Sequence, residues 1–134
     1  MKDVKILTMD NRGRIVIPQS VRKCVGISEN QQLMVIADSD TKEIKITPVG
    51  IKGETLMFRI KMSDHVGSLA KIATVFSKNN VNLVYGESVI IEKDKTAIWT
   101  VIGARPKNIE LEELVAILKK EGDALEVFVE VLEK

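Results

Sequence analysis

Arg12, Arg14, Arg22 and Lys23 crowd one short stretch of the chain. Within residues 1–26 six Lys/Arg stand against two acids, Asp3 and Asp10, a balance of +4. Long, permanently charged side chains at that density suit a polyanion, and a solvated basic face is the plain alternative. A second cluster is Asp64-His65-Val66-Gly67-Ser68-Leu69, with Asn82 further on. Gly67 and Ser68 open an expected helix, so their amides and the helix dipole suit a carboxylate, and Asp64 suits an ammonium group. Together they match the two ends of a free amino acid. The alternative is that Asp64 caps the helix and Asn82 satisfies backbone groups at a strand start. Cys24 and His65 are the sole residues of their types. One chain therefore offers no disulfide and no zinc-ligand cluster. With no Gly-rich phosphate loop, no nucleophile beside a base and no acid/base carboxylate pair, the expectation is a protein without catalytic residues, metal or cofactor.

These residues need elements to hold them. Val4, Ile6 and Thr8 alternate with Lys5, Leu7 and Met9, which predicts a strand. Asp10-Asn11-Arg12-Gly13 is turn chemistry, and Arg14–Ile17 returns as a second strand. Pro18 starts a short helix, Gln19–Val25, stopped by Gly26. Leu33–Ile36 and Ile44–Ile46 read as two more strands. Domains this small are marginal alone, and both faces of the first hairpin are apolar, so interleaving with a second chain is expected.

Residues 50–54 read as a short linker between domains at 1–49 and 55–134. Beyond it Leu56, Phe58, Ile60 and Met62 alternate as a half-buried strand. Leu69, Ile72, Ala73 and Phe76 then mark one stripe of a helix within residues 67–80. Val81–Glu92, with Gly86 as an expected bulge, forms a hairpin with Thr96–Ala104. A helix carrying Leu111, Leu114, Val115 and Leu118 leads to a last strand through Leu125, Val127, Val129 and Val131. Strand, helix, strand, strand, helix, strand is the ferredoxin-like split βαβ order, an antiparallel sheet with two helices on one face. The expected class is α+β.

The chain has 134 residues, 45% of them hydrophobic, and a net charge of +1. That excludes disorder and low complexity. No apolar run approaches the roughly 20 residues of a membrane span, and the first residues lack the apolar core of a secretion signal, so a cytoplasmic location is expected. The charge is unevenly divided: residues 1–52 carry nine Lys/Arg and six Asp/Glu, while the remainder is net acidic.

The run Asp10-Asn11-Arg12-Gly13-Arg14-Ile15-Val16-Ile17-Pro18, followed by Arg22-Lys23 and Gly26-Ile27, resembles the AbrB-type swapped-hairpin DNA-binding domain of the SpoVT and MazE kind. The resemblance covers roughly residues 4–49. It implies an intertwined homodimeric β-barrel whose basic surface lies on double-stranded DNA. By position it implies DNA contacts from Arg14, Arg22 and Lys23, with Arg12 flanking the turn, whereas Leu7 stands where some members are basic. Residues 55–132, through Asp64-x-x-Gly67-x-Leu69 and Val81-Asn82-Leu83, resemble the ACT domain, a regulatory module that binds amino acids. That implies effector contact at Asp64, Gly67 and Asn82, with Val66, Ser68 and Leu69 completing the loop, although proline is common in the family where Val66 stands. The combined expectation is a homodimeric or larger transcription regulator tuned by an amino acid. Two others stand beside it: an antitoxin-like or assembly module, and a regulatory subunit of an amino-acid biosynthetic enzyme.

Overall fold

A computed structural model of the protein describes residues 1–132. The chain divides into two compact units, Met1–Gly50 and Ile51 onward.

In the first unit the Asp10–Arg14 turn forms. The Asp10 amide donates to the Arg14 carbonyl (3.0 Å), the Gly13 amide donates to the Asp10 carbonyl (3.1 Å), and Gly13 takes φ +77°. Past the turn, residues 1–18 form no strand ladder, so the expected strands Val4–Met9 and Arg14–Ile17, and the barrel they would build, are not present in the single chain. The exposures give the reason: Ile6 is 97%, Val4 83% and Val16 80% exposed, and none of residues 1–50 is buried. Apolar arms that bury none of their residues gain too little from pairing, since a lone two-stranded hairpin is marginal in water. Helix α1 (Gln19–Val25) begins after Pro18, which stands one place outside the helix and whose carbonyl accepts the Arg22 amide. It ends at Gly26, where φ +85° lets the chain double back to the Arg22 carbonyl. Strands β1 (Gln32–Asp38) and β2 (Glu43–Val49) pair antiparallel from Gln32↔Val49 to Asp38↔Glu43. The Asp38 carboxylate closes their turn by accepting the amides of Asp40 and Thr41.

The second unit runs β3 (Thr55–Ser63), α2 (Ser68–Lys78), β4 (Leu83–Glu92), β5 (Thr96–Ala104), α3 (Leu111–Lys120) and β6 (Glu126–Val131). Its antiparallel sheet has the order β4-β5-β3-β6, the expected split βαβ topology. With three helices and two antiparallel sheets the described residues are α+β. The strict alternation of β3 buries Leu56, Phe58 and Ile60 completely. Against them lie Ile72, Val75 and Phe76 of α2 and Leu114 and Leu118 of α3. Phe76 meets Phe58 and Trp99 edge-on, with ring centroids 5.2 and 6.1 Å apart.

Two details differ from the periodicity. Leu69 was expected on the buried stripe, but it sits in the first helical turn and stays 40% exposed, and Val75 is buried instead. Gly86 pairs in register with Val101 and is no bulge; the irregularities fall at Leu83/Tyr85 and Ile90/Glu92. A Cβ at Gly86 would stand 3.2 Å from the Trp99 indole nitrogen, so glycine makes room for that ring. Gly103 is tighter still, because a Cβ there would lie 2.6 Å from the Asn82 carbonyl oxygen. The entry to β3 is anchored by Arg105, whose amide donates to the Glu54 carbonyl and whose guanidinium holds the Glu54 carboxylate at 2.8 Å. Among the described residues no helix is long and apolar enough to cross a membrane.

Candidate functional site

All four basic candidates of the first unit are exposed, but they are not equivalent. The Arg14 guanidinium donates through Nε to Asp10 Oδ2 at 2.7 Å. The other Asp10 oxygen accepts the backbone amides of Arg12 and Arg14, both at 2.9 Å. The Arg14 amide, the Arg14 guanidinium and the Arg12 amide hold the Asp10 carboxyl below its usual range. Arg14 is thereby a turn residue as well as a surface cation. Arg12, Arg22 and Lys23 make no ion pair among the described residues. Arg22 and Lys23 lie in the last turn of α1, where cations complement the helix dipole.

In the second unit the β3–α2 loop brings Asp64, Val66, Gly67, Ser68 and Leu69 together by sequence and chain direction. Gly67 takes φ +90° and precedes α2 without a side-chain cap. Asp64 does not cap that helix. Its Oδ2 accepts the amide of Asp94 at 2.8 Å, and its own amide donates to the Lys95 carbonyl at 3.1 Å. The carboxylate thus ties the loop to the β4–β5 turn, thirty residues along the chain. The Ser68 amide donates to the His65 carbonyl (3.2 Å), so the helix-start donors left open are those of Leu69 and Ala70. Ser63 Oγ and His65 Nδ1 are hydrogen-bonded within the loop, and Val66 is fully exposed. One Asp64 oxygen is engaged and the first amides of α2 carry no side-chain cap, groups that suit an ammonium and a carboxylate respectively.

Asn82 is elsewhere. β3 runs from Thr55, paired with Ala104, to Ser63, paired with Thr96, and Asp64 follows that far end. The Asn82 carbonyl lies against Gly103, whose partner on β3 is Leu56, so Asn82 stands at the opposite end of the sheet, about 25 Å away at roughly 3.3 Å per residue. There it lines a shallow groove of about 470 Å³ with Ala73, Phe76, Asn80 and Leu83. Asp94 and Lys95 were the contacts missed from sequence. Their turn was legible in Lys93-Asp94-Lys95, but its approach to Asp64 depends on the return of β4. Among the described residues no group of three or more His, Cys, Asp or Glu is placed to hold a metal ion.

No protein-family profile matches the chain, and no curated protein does. Among solved structures the chain is similar to a formyltetrahydrofolate deformylase from Pseudomonas putida KT2440, at a TM-score of 0.48 and 11% identity over 60% of this chain and 29% of that one. It is also similar to the C-terminal domain of the MgtC protein from Mycobacterium tuberculosis, at 0.48 and 19% over 63% and 95%. A third is a protein described as a glycine cleavage system transcriptional repressor, at 0.48 and 11% over 69% and 57%. The chain spans less than two thirds of the length of the first and third of these. At these scores the likeness adds nothing to the strand order read directly from the hydrogen-bond ladder.

Proposed function

We propose that the chain is a non-enzymatic DNA-binding transcription regulator, active as a homodimer or larger assembly, whose second unit receives an amino acid. The observation that carries the reading is the state of residues 1–50: no buried residue, apolar arms beyond a formed turn, and cations concentrated in the same stretch. Such a segment acquires a core when a second chain supplies the other half, and the pair then presents two copies of every cation on one small body. Unpaired Arg12, Arg22 and Lys23 from two chains offer six phosphate contacts, enough for a strong and salt-sensitive hold on duplex DNA. In the second unit Asp64 takes the ammonium end of the effector and the open amides of Leu69 and Ala70 take the carboxylate. Effector binding then favours one arrangement of the assembly, and the short linker passes that preference to the basic unit.

The test is a salt titration of duplex binding by fluorescence anisotropy. Six contacts give a slope of log affinity against log salt of roughly −5, at about 0.9 per phosphate. A salt-independent affinity removes the DNA reading. A second reading, in which the second unit only assembles the protein, is favoured by the engagement of Asp64 with the Asp94 amide. Failure of every standard amino acid to raise the melting temperature would select it.

A further inference from the structure

Arg14 differs from the other cations of the first unit in what holds it. Asp10 Oδ1 accepts the amides of Arg12 and Arg14, so the carboxylate is pinned to the backbone of its own turn. Its Oδ2 accepts Nε of Arg14 at 2.7 Å. These donors keep the carboxyl ionised at neutral pH. The Arg14 side chain is nevertheless 66% exposed, and among the described residues neither of its Nη groups donates a hydrogen bond. A guanidinium is a rigid planar fork of five N–H donors. Held at Nε, it keeps free the edge remote from Cδ, where two N–H groups lie parallel.

A phosphate and a base edge both suit such a fork, and charge separates them. Arg14 and Asp10 sum to zero, so a phosphate at the Nη edge meets the repulsion of the Asp10 carboxylate together with the attraction of Arg14. A neutral pair of acceptors meets no such repulsion. In the major groove guanine alone offers two adjacent acceptors, O6 and N7, whereas adenine sets a donor beside its N7. Residues 10–14 are all exposed, and a groove about 12 Å wide admits a chain reversal of this size. We infer that Arg14 reads a guanine edge and that Asp10 positions it to do so, while Arg12, Arg22 and Lys23 hold phosphates. The inference rests on the DNA-binding reading above and gives it a sequence preference. Asp10 acts through Arg14: it fixes the guanidinium before DNA arrives, so less side-chain freedom is lost in the bidentate contact.

The experiment selects duplexes from a randomised pool with the full chain and measures the enriched sequences by anisotropy. Wild type is expected to enrich a guanine whose replacement by adenine lowers affinity roughly ten- to 100-fold. Arg14→Ala is expected to bind the two duplexes alike with a nearly unchanged salt slope, because a base contact releases no phosphate counterion. Asp10→Asn keeps an oxygen for the amides of the turn and frees the guanidinium. Its guanine preference falls several-fold, and its salt slope steepens by up to about 2 as two released arginines per dimer reach phosphates. Weaker binding of Asp10→Asn without a steeper slope overturns the positioning role, because loosening of the turn alone does that. Discrimination of guanine from adenine by Arg14→Ala overturns the inference. So does an Arg14→Ala slope flattened as much as that of Arg22→Ala, which makes Arg14 a phosphate contact. If wild type retains no duplex even at low salt, the DNA reading and this inference fall together, whereas retention without a guanine preference overturns this inference alone.

Discussion

The structure gives Asp64 one job and the proposed function a second, and one pair of substitutions separates them. Its carboxylate accepts the Asp94 amide at 2.8 Å, and in the proposed function it also faces the ammonium group of the effector. Asp64→Asn keeps a carbonyl oxygen that can accept the same amide but removes the charge. Asp64→Ala removes both. A hydrogen bond to a charged group contributes about 1.5–3 kcal/mol, which is roughly ten- to 150-fold in affinity, whereas an ordinary neutral bond contributes about 0.5–1.5 kcal/mol. Asp64→Asn is therefore expected to keep most of the stability of the β4–β5 turn while weakening effector binding by one to two orders of magnitude. Asp64→Ala is expected to show the same loss of affinity together with a fall in stability of about 1 kcal/mol. Calorimetry with the amino acid that most raises the melting temperature measures the affinities, and urea unfolding measures the stabilities. Wild-type affinity in Asp64→Asn would refute the ammonium role and leave Asp64 as a tie between loop and turn.

Arg22→Ala removes two contacts per dimer and is expected to flatten the salt slope of DNA binding by about 2, while Arg14→Ala, whose guanidinium is already held by Asp10, flattens it less; anisotropy titrations of both variants compare them. The Asp10 carboxyl is held below its ordinary value by the amide of Arg14 first, then the Arg14 guanidinium and the Arg12 amide, so it titrates lower in the native turn than in the unfolded chain. Its contribution is complete above the unfolded value near 4 and drains away as pH falls through the lowered native one, so the protection of the Gly13 and Arg14 amides, measured against their intrinsic exchange rates, should fall at acid pH, and Asp10→Asn should remove that dependence. Gly103→Ala forces a Cβ against the Asn82 carbonyl, which is main chain and cannot rotate away; a loss of about 1–3 kcal/mol is expected in urea unfolding, with β4 the first strand to exchange its amides.

The second unit was legible because its contacts are local in pattern. The even positions of β3 from Leu56 to Met62 announce a buried face, and that face is buried. Ile72 and Phe76 on α2, and Leu114 and Leu118 on α3, mark the matching helical faces. What escaped depends on where distant segments return. The partner of Asp64 is the amide of Asp94, so nothing near Asp64 in sequence signals it. Asn82 has the right type for an effector contact, but the crossover through α2 carries the chain back to the far end of the sheet, where β4 begins. Gly86 reads as a bulge until Trp99 is seen above it. In the first unit the apolar alternation of Val4–Thr8 is a strand signal, but the ladder that would use it has no second half in a single chain.

The absence of any buried residue in 1–50 also bears on how the protein is made. This segment leaves the ribosome before residues 51–132 and closes no core by itself. The second unit follows roughly 4–17 s later at 5–20 residues per second, and it closes a core from its own residues. Under the proposed assembly, order of synthesis and order of folding are therefore reversed: the later half folds while the earlier half still waits for a second chain. During that wait Val4, Ile6 and Val16 stand open to water, and expression level sets how long they do so. Neighbouring ribosomes on one message would shorten the delay by keeping sister chains close, so translation itself becomes part of the assembly pathway.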